Sequence, residues 1–225
     1  MGKTVIFDWG GVIMHKAPVP NSDKEAIIRC IKSFNPNLSD EMAWDIYAKT
    51  LKDENGVFIS KQNDPESRLK WVNRIVKLGN LNATYQDFVS KFVEEYLKAE
   101  SYKELVSYIK SLKERCKVAL FSDLIFCCTP ALDRQISLNS FDYVFLSYKT
   151  GLRKDTEDAF INVERRTGSM PSDILFIDDT TTNIENAKKR GWNTCQAFGY
   201  EIDKIKNSVE SFLAREINQG VQVQK

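Results

Sequence analysis

Thr4-Val5-Ile6-Phe7-Asp8-Trp9-Gly10-Gly11 decides the fold. Thr4 to Phe7 is β-branched and aromatic, the composition of a buried strand. The run ends in Asp8, and the glycines beyond it let backbone come close to whatever that carboxylate touches. Open α/β sheets bind ligands outside the carboxyl ends of their strands. An aspartate at the end of a first parallel strand is therefore hard to explain as structure. The second informative position is two residues on, where Gly10 stands and a second acid does not.

Composition sets the limits around that stretch. The chain has 225 residues, enough for one sizeable core plus an insertion. With 42% hydrophobic and 28% charged residues it reads as an ordinary soluble protein. A formal net charge of +1 points to neither nucleic acid nor an anionic membrane as partner. No apolar run is long enough to span a bilayer, and Met1-Gly2-Lys3 leads straight into the strand with no room for a signal peptide. Cys30, Cys116, Cys127, Cys128 and Cys195 are odd in number and lack zinc-type spacing. They read as reduced thiols of a cytoplasmic protein. The adjacent Cys127-Cys128 pair reads as small buried hydrophobes rather than a redox device.

After Asp8 the chain runs through Val12-Ile13-Met14-His15 to a linker marked by Pro18 and Pro20. A helical stretch follows to about Glu100. Ser22 caps a helix through Phe34, Ser39 a second carrying Ala43, Ile46 and Tyr47, Asp64-Pro65 a third that stops at Gly79, and Thr84 a fourth carrying Phe88 and Phe92. Together they read as a helical bundle, with Trp44, Trp71, Phe88 and Phe92 as its core. Strand and helix then alternate. Tyr102–Arg115 reads as helix, Cys116–Phe121 as strand, Pro130–Leu138 as a short helix and Tyr143–Leu146 as strand. Thr156–Thr167 reads as helix, Asp173–Ile177 as strand, Thr182–Arg190 as helix, Asn193–Phe198 as strand and Glu201–Ile217 as helix, with a polar tail from Asn218. This repetition implies a doubly wound, Rossmann-like parallel α/β sheet. The expected division is a core of residues 1–16 and 101–225, with a four-helix cap domain over 17–100 inserted after the first strand.

Four groups fall at one edge of that sheet: Asp8 after the first strand, Ser122 after the second, Lys154 beyond the third and Asp178-Asp179 after the fourth. Separated carboxylates recruit Mg2+, a hard cation often shared with phosphate. Lysine and the cation offset charge on a transferring phosphoryl group, and a carboxylate so placed can attack phosphorus to form an aspartyl-phosphate.

The motifs Val5-Ile6-Phe7-Asp8-Trp9-Gly10-Gly11-Val12, Leu120-Phe121-Ser122-Asp123, Gly151-Leu152-Arg153-Lys154 and Ile177-Asp178-Asp179-Thr180-Thr181-Thr182-Asn183-Ile184 resemble, in this order, the haloacid dehalogenase (HAD)-like hydrolase superfamily. The resemblance covers both ends of the chain, and its start is like that of a phosphatase branch with Phe-Asp-x-Gly. It implies a Mg2+-dependent phosphatase acting on a small phosphorylated metabolite, a sugar phosphate or an activated phosphate. Carried over, Asp8 is nucleophile and metal ligand. Ser122, Asp123 and Lys154 bind the phosphoryl group, and Lys154 also steadies Asp8. Asp179 is a metal ligand, Gly10 offers the metal its backbone carbonyl, and Asp178 and Asn183 support. The expected state is a monomer or weak homodimer.

The chain departs from the family pattern at two places. Typical relatives have a second aspartate at the position of Gly10, where it protonates the leaving oxygen and then activates water, help worth about 10²–10⁴-fold. Asp155 stands where proline usually follows the lysine, and could pair with Lys154. His15, the only histidine, is a candidate substitute acid or base but reads as a partly exposed linker residue. Two alternatives stay open. One is a catalytically silent member that binds a phospholigand or a protein partner. The other is a phosphonoacetaldehyde hydrolase-like enzyme cleaving a phosphorus–carbon bond through a lysine such as Lys49 or Lys52.

Overall fold

The computed structural model describes residues 2–52, 56, 58 and 64–215. Its centre is a five-stranded sheet of order β3-β2-β1-β4-β5, with every neighbouring pair parallel. The strands are β1 (Thr4–Phe7), β2 (Lys117–Ser122), β3 (Tyr143–Leu146), β4 (Ile174–Asp178) and β5 (Asn193–Gln196). In register, Phe7 lies beside Leu120 on one side and Ile177 on the other, so Asp8 emerges between the ends of β2 and β4.

Alternation along the strands splits the core into two faces, since successive side chains point oppositely. Val5, Phe7, Leu120, Leu175 and Ile177 belong to one cluster. It includes Leu105 and Ile109 of α5 (Lys103–Ser111) and Val209 and Phe212 of α10 (Ile202–Ala214). Ile6, Ala119, Phe121, Phe145 and Phe176 face the other way. There they meet Phe160 and Val163 of α8 (Glu157–Thr167) and Ile184 and Ala187 of α9 (Thr181–Lys189). Helices on both faces make the sheet doubly wound.

Between β1 and α5 lie α1 (Asp23–Phe34), α2 (Asp40–Thr50), α3 (Pro65–Leu78) and α4 (Tyr85–Tyr96). Each starts where a side chain accepts a backbone N–H: Ser22 from Glu25, Ser39 from Met42, Asp64 from Ser67 and Thr84 from Asp87. Such caps satisfy donors that have no partner within the helix. Trp71 fills the middle of the block, edge-on to Tyr47, Phe88 and Phe92 at 5.8–6.4 Å between centroids. Phe126, from the segment after β2, meets the same indole at 6.4 Å, so block and sheet share one apolar cluster. The chain leaves and re-enters the sheet side by side. His15 N donates to Glu100 O (2.9 Å), Tyr102 N to Ile13 O (3.0 Å) and Glu100 N to Asn21 O (3.0 Å).

Several boundaries differ from the sequence reading. A one-turn helix, α7 (Ser147–Thr150), follows β3, and Gly151 ends it at φ +70°. Lys154 thus lies in the turn before α8, whose N-cap is Thr156. The short helix expected at Pro130–Leu138 is α6 (Thr129–Gln135), stopped by extended backbone at Ile136. β5 ends at Gln196 rather than Phe198. The tail from Asn218 lies outside the described residues. Among these, no helix is long and apolar enough to cross a membrane.

Candidate active site

The carboxyl ends of β1, β2 and β4 open on a cavity of about 690 Å³. Asp8, Ser122, Asp123, Lys154 and Asn183 line it from the sheet side. Lys154 is the pivot. Its ammonium is 2.6 Å from Asp178 Oδ2 and 2.8 Å from Asp8 Oδ1, with only 2% of the side chain exposed. It also sits 5.7 and 5.6 Å from the ring centroids of Phe121 and Phe176. Burial disfavours its charge, but Asp178 and Asp8 outweigh burial and raise its pKa, so Lys154 stays an ammonium. Asp155 does not draw it away. That carboxylate pairs with Arg153 at 3.2 Å.

Asp178 is fully enclosed and fully partnered. Besides Lys154, it accepts from Thr180 N (2.8 Å) and from Asn183 Nδ2 (3.0 Å to Oδ2, 3.2 Å to Oδ1). Asn183 thus holds Asp178 from the first turn of α9. Asp8 is held less completely. Its Oδ1 is buried against the Lys154 ammonium at 2.8 Å. Burial raises the Asp8 pKa and the Asp178 charge adds to it, against the pull of Lys154 and a hydrogen bond from Ser122. The Asp123 carboxylate accepts from Lys154 N (3.1 Å) and pairs with Arg153 (3.5 Å). The group Asp123 can offer a phosphoryl oxygen is its backbone N–H.

Gly10 and Gly11 have different reasons to be glycine. A Cβ on Gly10 would meet open space, so nothing steric forbids a side chain there. At Gly11 the backbone has φ +86°, and a Cβ would stand 2.8 Å from Asp179 Cγ. Only glycine allows that approach.

Asp8, Asp178 and Asp179 each bring a carboxylate oxygen within 4.8 Å of the others. With all three ionised, the buried acids outnumber the ammonium groups of Lys154 and Lys16 by one negative charge, before any phosphate arrives. Hard oxygen donors and an unfilled charge balance fit a divalent cation of the Mg2+ type. Asp8, Asp179 and the Gly10 carbonyl would hold it, with Asp178 and Asn183 behind them. Among the described residues no hydrogen bond reaches that carbonyl.

Sequence reasoning missed the groups that the linker and the helical block bring in. Lys16 donates to Asp179 Oδ2 at 2.6 Å. Asp23, Tyr47 and Tyr96 line the cavity opposite the strand ends, beside Lys52, which the sequence had already offered as a candidate for phosphorus–carbon cleavage. No local pattern marks them, because their meeting with β4 depends on how the block folds back. His15 lies outside this cavity, 4.3 Å from the Tyr102 ring and with Nδ1 3.1 Å from Pro20 O. Lys49 is also outside it, paired with Asp45. Trp9 is buried, its indole N–H donating to Gln135 Oε1 (2.9 Å), and it also forms part of the wall. Cys127 and Cys128 are buried free thiols, and burial raises the Cys128 pKa further. That is the reverse of a reactive pair.

A parallel sheet of this order, with an acid after β1, a hydroxyl after β2, a lysine beyond β3 and paired acids after β4, defines the class. The fold is that of the HAD-like hydrolase superfamily. Three comparisons bear this out. The curated D-ribitol-5-phosphate phosphatase of Bacteroides thetaiotaomicron is 24% identical over 204 residues, 87% of this chain and 92% of that protein. A HAD family enzyme of the same organism, solved with magnesium and inorganic phosphate, superposes with a TM-score of 0.65 at 16% identity, covering 87% of this chain and 93% of that one. A HAD-like family hydrolase from Porphyromonas gingivalis gives 0.64 at 22% identity, with 100% of both chains covered. No family model matches.

Proposed function

We propose that this protein is a Mg2+-dependent phosphatase that hydrolyses a small phosphomonoester through an aspartyl-phosphate on Asp8. The observation that carries the reading is the Asp8–Lys154–Asp178 contact at the strand ends, buried beside Asp179 and open to one cavity. When bound, Mg2+ would offset charge on the phosphoryl oxygens and on the attacking carboxylate. The chain's own residues do the rest. Lys154 keeps Asp8 ionised and oriented despite its burial. The Ser122 hydroxyl and the Asp123 backbone N–H receive the phosphoryl oxygens. Asp178 and Asn183 hold Lys154 and the end of β4 in place.

Residues 17–100 act as a cap domain over the core formed by 1–16 and 101–225, moving on the paired crossings near His15 and Glu100 to admit substrate and exclude water. Tyr47 and Tyr96 lie deep in the wall, and burial raises both pKa values well above the usual phenol value. They meet the substrate as neutral hydroxyl-bearing rings suited to a polyhydroxylated chain. The curated relative acts on D-ribitol-5-phosphate, so pentitol and sugar phosphates come first among substrates. Free thiols and near-zero net charge support a cytoplasmic protein that does not bind nucleic acid.

The test is phosphate release from pentitol, sugar, aryl and acyl phosphates with Mg2+. Turnover is expected on at least one ester, lost with EDTA and reduced at least about 10⁴-fold in Asp8→Asn. Release no faster than the Asp8→Asn background on every compound would leave a silent phospholigand-binding protein, the reading that Gly10 favours. An imine trapped by borohydride with phosphonoacetaldehyde would instead indicate phosphorus–carbon cleavage.

A further inference from the structure

Gly10 leaves the proposed reaction without the acid that protonates the leaving oxygen, and the cavity is lined by other carboxyl groups. Among the described residues, Asp8, Asp23, Asp123, Asp155 and Glu185 are the carboxylates that line it. Asp8 is the nucleophile of the phosphatase reading. Asp123 and Asp155 are paired with Arg153, and Glu185 is solvent-exposed on α9. Of these carboxylates, Asp23 is the one that reaches the cavity from the helical block, across from the strand ends that carry Asp8.

The backbone fixes its position. Asp23 N donates to His15 O (3.2 Å), its Oδ1 accepts from Lys24 N (2.7 Å), and the Ala17 N–H bonds the carboxylate as well. Asp23 is thus tied to the linker that runs out of β1. Five groups face it: Lys16 from that linker, Asp179 from the end of β4, Tyr47 from α2, Tyr96 from α4 and Cys128 ahead of α6. Burial is the largest influence on Asp23 and raises its pKa, and Asp179 adds to this. The backbone bonds and Lys16 oppose them without cancelling the rise. A carboxyl so placed keeps its proton to higher pH than an exposed aspartate, as a general acid must. The other candidates are poorer donors. Lys16 is bound to Asp179, and burial keeps the Tyr47, Tyr96 and Cys128 protons tightly held.

Resting on the phosphatase reading, we propose that Asp23 is the general acid and base of the reaction, contributed by the helical block in place of an acid at Gly10. In the first half, an Asp8 oxygen forms a bond to phosphorus and the bond to the leaving oxygen breaks. That electron pair takes the Asp23 proton, and an alcohol departs. In the second half, the Asp23 carboxylate removes a proton from water as the water oxygen attacks phosphorus. The Asp8–phosphorus bond breaks, inorganic phosphate leaves, and Asp23 is protonated again.

Leaving-group dependence tests this. An alkyl phosphate needs its leaving oxygen protonated, whereas p-nitrophenyl phosphate expels a stabilised phenolate. Asp23→Asn should lower kcat/KM on a pentitol phosphate by about 10²–10⁴-fold, with the loss on p-nitrophenyl phosphate at least about tenfold smaller. Remaining aryl turnover also shows that the variant is folded. The wild-type protein gives a second readout that needs no variant. The slope of log kcat/KM against leaving-group pKa should be shallow at low pH and steepen as Asp23 loses its proton. Equal losses on both esters, no loss on either, or a slope indifferent to pH would overturn the proposal and leave the phosphatase reading standing. Wild-type protein that releases no phosphate from any ester in an Asp8-dependent way would overturn both.

Discussion

Lys154 holds two buried carboxylates together, and among the described residues neither Asp8 nor Asp178 has another cation that close. Its folded pKa is raised above the ordinary 10.5. The stabilisation from its charge is therefore fully present below that value and is lost only as the pH climbs past it. Lys154→Met should cost about 3–5 kcal/mol at neutral pH, because it leaves buried charge without a counterion. Asp8 sets the pH dependence of that cost. Its folded pKa is raised above 3.8, so the native state binds its proton more tightly and loses stability as the pH rises through that window. Removing the ammonium widens the window, and the penalty should shrink on acidification. Urea unfolding of both proteins at about pH 5 and pH 7 checks the sign.

At the scale of the element, the helical block is joined by Glu95 of α4. This nearly buried carboxylate lies 2.8 Å from Arg29 Nε on α1, 2.6 Å from Lys98 Nζ and 3.1 Å from Lys91 Nζ. Burial alone would raise its pKa, yet the hydrogen bonds from Lys98, Arg29 and Lys91 prevail and hold it at about 2. Because the folded value is depressed, the stabilisation is present above the ordinary 4.5 and is lost as the pH falls toward about 2. The three cations are partly exposed, so solvent screens them. Glu95→Gln should cost about 1–3 kcal/mol near neutrality. Thermal melts of variant and wild type should differ at neutral pH and converge in acid. A difference that persists in acid would show that Glu95 matters for packing rather than charge.

On the scale of the whole molecule, the site is completed only when sheet, linker and helical block come together. Asp8 and Asp178 are fixed by parallel pairing of β1 with β4, whereas Lys16 and Asp23 arrive on the outgoing crossing and the first turn of α1. A divalent cation held by Asp8 and Asp179, together with phosphate, would stabilise the folded protein, since both would bind the native state alone. Mg2+ with inorganic phosphate, at a hundredfold excess over its dissociation constant, should add about 2.7 kcal/mol. Asp179→Asn and EDTA should each remove the gain. An equal shift in Asp179→Asn would place the cation elsewhere.

The sheet and the first tier of the site were legible in the sequence because their signals are local. A β-branched run ending in an acid marks a parallel strand and its functional end, and the motifs after β1, β2 and β4 repeat that pattern. Ser22, Ser39, Asp64 and Thr84 marked the helix starts because a cap bond spans only three residues. The one-turn α7 was not legible, since four residues carry no periodicity. The strand order β3-β2-β1-β4-β5, the closure of Lys154 onto both Asp8 and Asp178, and the meeting of Lys16 with Asp179 were decided by tertiary structure. So was the entry of Asp23 into the cavity. Each joins residues far apart in the chain, and a contact of that kind leaves no trace in the residues beside it. The sequence by itself determined which groups could act on a phosphate, whereas packing decided which of them share one cavity.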